Sequence, residues 1–241
     1  MSFPFDLLAL VPLGLLAGVL TTVAGMGGGM MLVVVLSLAW DPRIALATTA
    51  PALLLGNAHR AFLYRTRVAP QIARPFALGA VPGSFLGGLA VVALPATLIQ
   101  AVLVLMTLLA FARAAGLFRW EPSAAQLVPA GAFIGATAAT GGGAGLLTGP
   151  LFLSAGLRGE SYIATVAVAA VAMHLGRLAA YGVGGLVDGT TLLRAAVLAV
   201  AILAGNALGA KLRHHVDETL STRLELGTLT LAVLGSIVGL A

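Results

Sequence analysis

The stretch LAGVLTTVAGMGGGMMLVVVLSLAW, residues 16–40, sets Gly25, Gly27, Gly28 and Gly29 in the middle of an apolar run. Each glycine costs about 1 kcal/mol relative to alanine in a helix interior, so four together mark a break rather than a plain span. Length points the same way. As one helix, residues 7–40 would be ~51 Å long at 1.5 Å per residue. That is too long for a ~30 Å hydrocarbon core and too short for two crossings. Residues 30–40 alone reach only ~16 Å. Two half-length helices meeting at a glycine turn, dipping in and returning to the same side, fit this segment.

The surrounding chain is that of a membrane protein. Of its 241 residues, 60% are hydrophobic and only 9% charged, too few charges to cover a soluble surface. Apolar runs of ~20 residues in such a background read as transmembrane helices. The opening MSFPFD carries no basic n-region and does not read as a cleaved signal peptide. With no cysteine, disulfides and thiolate chemistry are excluded. The net charge of +5 has no soluble basic domain to carry it, so no nucleic-acid partner is expected.

Shifted by 117 residues, the first half falls on the second. Leu10, Val11, Pro12, Gly14 and Gly18 meet Leu127, Val128, Pro129, Gly131 and Gly135; Gly25 and Gly28 meet Gly142 and Gly145. Arg60 and Tyr64 then meet Arg177 and Tyr181, and GSFLGG (83–88) echoes GNALGA (205–210) five residues further on. The expected architecture is all-α: one transmembrane domain over 1–241, with repeat 1 at about 5–120 and repeat 2 at about 124–241. Each repeat opens with a glycine-broken re-entrant hairpin followed by three spans, near 44–64, 76–94 and 97–118, then 161–182, 190–210 and 221–240. Repeats with glycine-interrupted segments at matching places are the sign of a secondary transporter. With both openings re-entrant, the halves are inverted, both termini lie outside, and Arg65, Arg67, Arg74, Arg113, Arg119, Arg158, Lys211, Arg213 and Arg223 all fall on the cytoplasmic side. The positive-inside rule favours this over parallel halves, with eight plain spans as the rival.

The eight acids all lie in loops, at termini or near span ends, whereas cation and proton pathways usually rely on an intramembrane carboxylate. No metalloprotease, nucleotide-loop or nucleophile-elbow motif occurs, so neither an enzyme nor a cofactor or metal site is expected. Consecutive glycines can curl so that backbone N–H groups converge on an anion, and a following helix N-terminus adds its dipole. Gly25, Gly27, Gly28 and Gly29, with Gly141, Gly142, Gly143 and Gly145, are therefore candidate substrate ligands. Isolated pairs such as Gly14/Gly18, Gly83/Gly87 and Gly205/Gly209 read as helix-packing residues. Asn57, Arg60 and Tyr64 share one helix face, and His174, Arg177 and Tyr181 repeat the spacing. Asn57 and His174 are candidate ligands. Arg60, Arg177, Tyr64 and Tyr181 are candidate gating residues, with snorkelling of the arginines towards opposite faces as the rival reading. Thr48, Thr49 and Thr165 offer hydroxyls, unless each bonds back to its own helix. His59 and His174 are the histidines within spans, and proton coupling through one of them is a secondary hypothesis.

GVLTTVAGMGGGMM (18–31), followed by an apolar half-helix, DPR and ALATT, resembles the opening of the sulfite exporter TauE/SafE family. GATAATGGGAGLLTGPLFLSAGLRGESYIAT (135–165) resembles that family's second repeat, Pro150 included. The departures are Val33 where the second copy has Pro150, and Pro51, expected to interrupt the helix after ATT. The resemblance implies a multi-pass transporter of a bacterial inner membrane that exports sulfite, an organosulfonate or a related sulfur oxyanion by alternating access. Its expected partners are the small anion, a coupling proton or other ion, the lipid bilayer and, in a homodimer, a second copy. The rivals are a non-transporting scaffold and, behind it, an intramembrane hydrolase using Ser84 or Ser154.

Overall fold

The computed structural model describes residues 3–25, 27–114, 117, 123–141, 144–213 and 216, with isolated helical residues between 220 and 235. The described elements are helical throughout: α1 (Phe3–Ala24), α2 (Gly28–Ala39), α3 (Pro42–Leu63), α4 (Pro70–Ala93), α5 (Ala96–Ala114), α6 (Leu127–Gly141), α7 (Ala144–Ser154), α8 (Gly159–Val183) and α9 (Gly189–Leu212). Five of the six expected spans coincide with α3, α4, α5, α8 and α9; most of the sixth, 221–240, lies outside the described residues. Residues 7–24, α4, α8 and α9 are long and apolar enough to cross a membrane. Leu8, Leu78, Leu86, Val183 and Val200 on these helices are more than 60% exposed, as side chains solvated by lipid rather than water can be.

The opening segment is a helical hairpin with unequal arms. Gly25 and Gly27 adopt φ of +84° and +95°, a left-handed conformation that glycine enters without a Cβ penalty, and the chain reverses there. A Cβ on Gly28 would lie 2.2 Å from both the Ala17 carbonyl oxygen and Thr21 Oγ1, so α2 starts in direct contact with α1. Two half-length arms were expected, and α1 is longer than that. The 22 residues of α1 make ~33 Å, a full hydrocarbon thickness, while the 12 of α2 make ~18 Å. The second opening segment has α6 at ~22 Å and α7 at ~16 Å from their 15 and 11 residues. Pro51 does not interrupt its helix either: α3 runs on through it.

Two close crossings organise the bundle. Helix α1 packs on α9, where a Cβ on Gly18 would sit 2.4 Å from the Ile202 carbonyl oxygen and one on Gly205 2.3 Å from that of Leu15. Helix α6 packs on α4, where Gly83 and Gly131 come as close to the carbonyls of Ala132 and Phe76. The small-residue pairs thus let backbones touch, the packing that lipid-immersed helices favour. Between the crossings, α3 packs on α9, α8 on α4, and α3 against α8. That last contact brings the buried Asn57 and His174 together.

Candidate functional site

At the contact of α3 with α8, Asn57 Nδ2 lies 3.2 Å from His174 Nε2. These two residues are 117 apart, the shift that superposes the two halves of the sequence. Each carries an arginine one turn further along its helix, and Arg60 and Arg177 are both about 1% exposed. Neither snorkels; both turn inward. Arg60 donates from Nη2 to Asn57 Oδ1 at 2.8 Å, and from Nη1 to the carbonyl oxygens of Thr21 at 2.5 Å and Gly25 at 3.2 Å. Its guanidinium satisfies carbonyls that α1 leaves open at its C-terminal end, and it links the first glycine turn to Asn57. Arg60 leaves only its Nε without a hydrogen-bond partner, whereas Arg177 leaves both Nε and Nη2, and His174 Nδ1 has none either.

Charge is unbalanced here. The buried polar side chains among the described residues include both arginines and no aspartate or glutamate. Asp41 and Asp188 cap α3 and α9 by accepting from backbone N–H groups, and Glu160 pairs with Arg67 at 3.1 Å on the surface. These carboxylates serve helix ends and the rim.

The remaining expected ligands are dispersed. Gly25, Gly27 and Gly28 are buried and Gly29 lies against Leu53, but the turn meets Arg60 through the Gly25 carbonyl, an acceptor rather than the expected N–H donor. A ring carbon of Tyr162 would stand 2.8 Å from a Cβ on Gly25, so this face is filled. Gly141 ends α6 and Gly145 lies within α7, while Gly142 and Gly143 lie outside the described residues. The Thr165 hydroxyl donates to Ser161 O at 2.6 Å and accepts from the Ala69 N–H at 3.0 Å, tying α8 to the start of α4. Thr49 bonds back to Leu46 O, whereas Thr48 Oγ1 is buried without a partner. Tyr181 donates to Ala139 O at 2.6 Å and pins α8 to α6, while Tyr64 closes α3 half-buried. Ser84 and Ser154 donate to carbonyls of their own helices.

Two residues passed over in the sequence do comparable work. Asn206 accepts from the Thr22 hydroxyl at 3.0 Å and donates to Gly56 O at 2.8 Å, joining α9 to α1 and α3. Arg213 donates to Val23 O, a second cation at the end of α1. A lone asparagine inside an apolar span was the available signal for the first.

These features define a polytopic membrane protein with a cationic polar centre. The chain belongs to the TauE/SafE sulfite exporter family, whose model matches residues 10–237. No curated protein and no solved structure matches it.

Proposed function

We propose that this chain is a secondary transporter that exports a small sulfur oxyanion, sulfite or an organosulfonate, by alternating access. The observation that carries the reading is the pair of buried arginines flanking the Asn57–His174 contact, with no buried carboxylate among the described residues. A buried cation without a carboxylate is costly, and an anion is the ligand that offsets the cost. Under this reading the halves form an inverted repeat. Supporting that are the contact between residues 117 apart and the matching of the α1–α9 crossing by the α6–α4 crossing. The short α2 and α7 are read as re-entrant arms, the membrane as a bacterial inner membrane, and both termini as lying outside. An inside-negative potential drives a monovalent anion outward by ~2.3 kcal/mol per 100 mV, so export needs no ATP; a coupling ion adds to this.

Proteoliposomes loaded with sulfite, methanesulfonate, sulfate or chloride test the reading. Saturable, potential-dependent efflux of sulfite or the sulfonate is expected. Flux of none of these anions from folded protein would overturn it.

A further inference from the structure

We propose that the oxyanion is held on α8 alone, by Arg177 and His174, and that Arg60 is not its ligand but a clamp on the end of α1. This rests on the anion-transport reading and deepens it.

The guanidinium of Arg60 can only donate. The Asn57 atom 2.8 Å from Arg60 Nη2 is therefore the amide oxygen, and Nδ2 is the end that donates to Leu53 O at 2.8 Å and faces His174. An amide nitrogen offers no lone pair, so His174 Nε2 must accept from it and carries no proton. The neutral ring then bears its hydrogen on Nδ1, the atom that is buried without a partner. Arg60 fixes the amide of Asn57, and Asn57 fixes the tautomer of His174.

Arg177 lies one turn on, along the same face of α8. The two nitrogens it leaves unpartnered, Nε and Nη2, are those whose N–H bonds run parallel along one edge of the guanidinium, the edge that binds oxyanions in a bidentate fashion. With His174 Nδ1–H this makes three buried donors and no acceptor. The nearby tyrosine cannot serve, because the Tyr181 hydroxyl is engaged with Ala139 O. A sulfite or sulfonate group presents three oxygens on one sulfur. Two are assigned to the arginine edge and the third to the imidazole N–H. Arg60 leaves only Nε unpartnered, because Nη2 is engaged with Asn57 and Nη1 with two carbonyls, so it offers no second free nitrogen along that edge. The two arginines share a place in the repeat and differ in what they hold.

The test uses the full chain in detergent, with sulfite and methanesulfonate as probes and potassium chloride as the ionic-strength control. Thermal stabilisation gives apparent affinities for wild type, Arg177→Gln, Arg177→Lys and, as a surface-charge control, Arg67→Gln. Loss of charged hydrogen bonds should weaken binding by about ten- to a hundredfold in Arg177→Gln, less in Arg177→Lys, and not in Arg67→Gln. Histidine-selective ¹⁵N spectra of wild type, with the His174 signal assigned by its absence in His174→Asn, should show the proton on Nδ1 and a shift of that N–H on adding either anion. Wild type stabilised by neither anion overturns the anion reading and this site together. Affinity retained in Arg177→Gln overturns the site alone. Should that variant not fold, a His174 proton on Nε2, or an Nδ1–H unmoved by bound anion, does so.

Discussion

Replacing each buried arginine in turn by methionine is expected to move stability in different directions. Arg60→Met removes hydrogen bonds of 2.5, 3.2 and 2.8 Å to Thr21 O, Gly25 O and Asn57 Oδ1. At about 1.5–3 kcal/mol for each bond to a charged group, the gross loss is ~4.5–9 kcal/mol. Relief from burying an ion offsets part of this, since several kcal/mol of desolvation disappear with the charge. Taking that relief from the gross loss leaves a net cost of about 3–5 kcal/mol, which for a chain of this size lowers the unfolding midpoint by roughly 6–20 °C. Arg177→Met gives up a guanidinium whose Nε and Nη2 hold nothing, so the desolvation relief outweighs what is lost. That variant should be as stable as wild type or up to ~4 kcal/mol more stable. Thermal unfolding in sulfite-free detergent, followed by tryptophan emission and by recovery of monodisperse protein, reads both. Equal losses in the two variants, or a neutral Arg60→Met, would refute the reasoning.

Gly28→Ala places a Cβ 2.2 Å from the Ala17 carbonyl oxygen and should separate α2 from α1 at a cost of at least ~1–3 kcal/mol, whereas Gly189→Ala enters open space at an exposed helix start and should be neutral or stabilising by ~0.5–1 kcal/mol; midpoints of the two variants measured side by side check the contrast. Asp188 is held below the usual carboxylate range, chiefly by accepting the Thr191 backbone N–H. The sign follows from that direction: a depressed folded value contributes stability above the ordinary range, lost as pH falls through it. The advantage of wild type over Asp188→Asn should therefore be constant near neutral pH and close below about pH 4, as read from unfolding midpoints across a pH series.

Much of the architecture was legible because lipid solvation leaves a long apolar helix few alternatives, and α4, α8 and α9 fall within a few residues of the spans read from composition. The polar centre was half legible. The spacing of Asn57, Arg60 and Tyr64 with its copy drew attention to the four side chains that meet or are buried there, Asn57, Arg60, His174 and Arg177, but not to what Tyr64 and Tyr181 do. The 117-residue shift made Asn57 and His174 equivalents. Where the arginines point was not legible. Depth along a span suggested snorkelling to opposite faces, whereas the end of α1 offers Arg60 unpaired carbonyls that exist only once α1 and α2 fold back on each other. For the same reason Gly28 looked like a ligand. Its packing duty comes from Ala17 and Thr21, eleven and seven residues upstream, and a linear pattern cannot rank that above an anion nest. Thr165 likewise owes its role to Ala69, the residue that leads into α4.

The imbalance of charge bears on what such a centre can pass. At an effective dielectric of about 20, a monovalent cation 8 Å from one guanidinium meets ~2 kcal/mol of repulsion, and a second guanidinium doubles it. An anion at the same place gains what the cation loses, before any hydrogen bond forms. A carboxylate beside either arginine would cancel this preference, and the described carboxylates stand at helix ends and on the surface instead. Such a centre is held at a price in stability, because Arg177 and His174 keep buried donors unmatched while Arg60 supplies bonds that keep α1 in place. On the proposed reading, stability and anion binding fall to different members of the Arg60/Arg177 pair. A more stable Arg177→Met protein that no longer moves its anion would be the mark of that division.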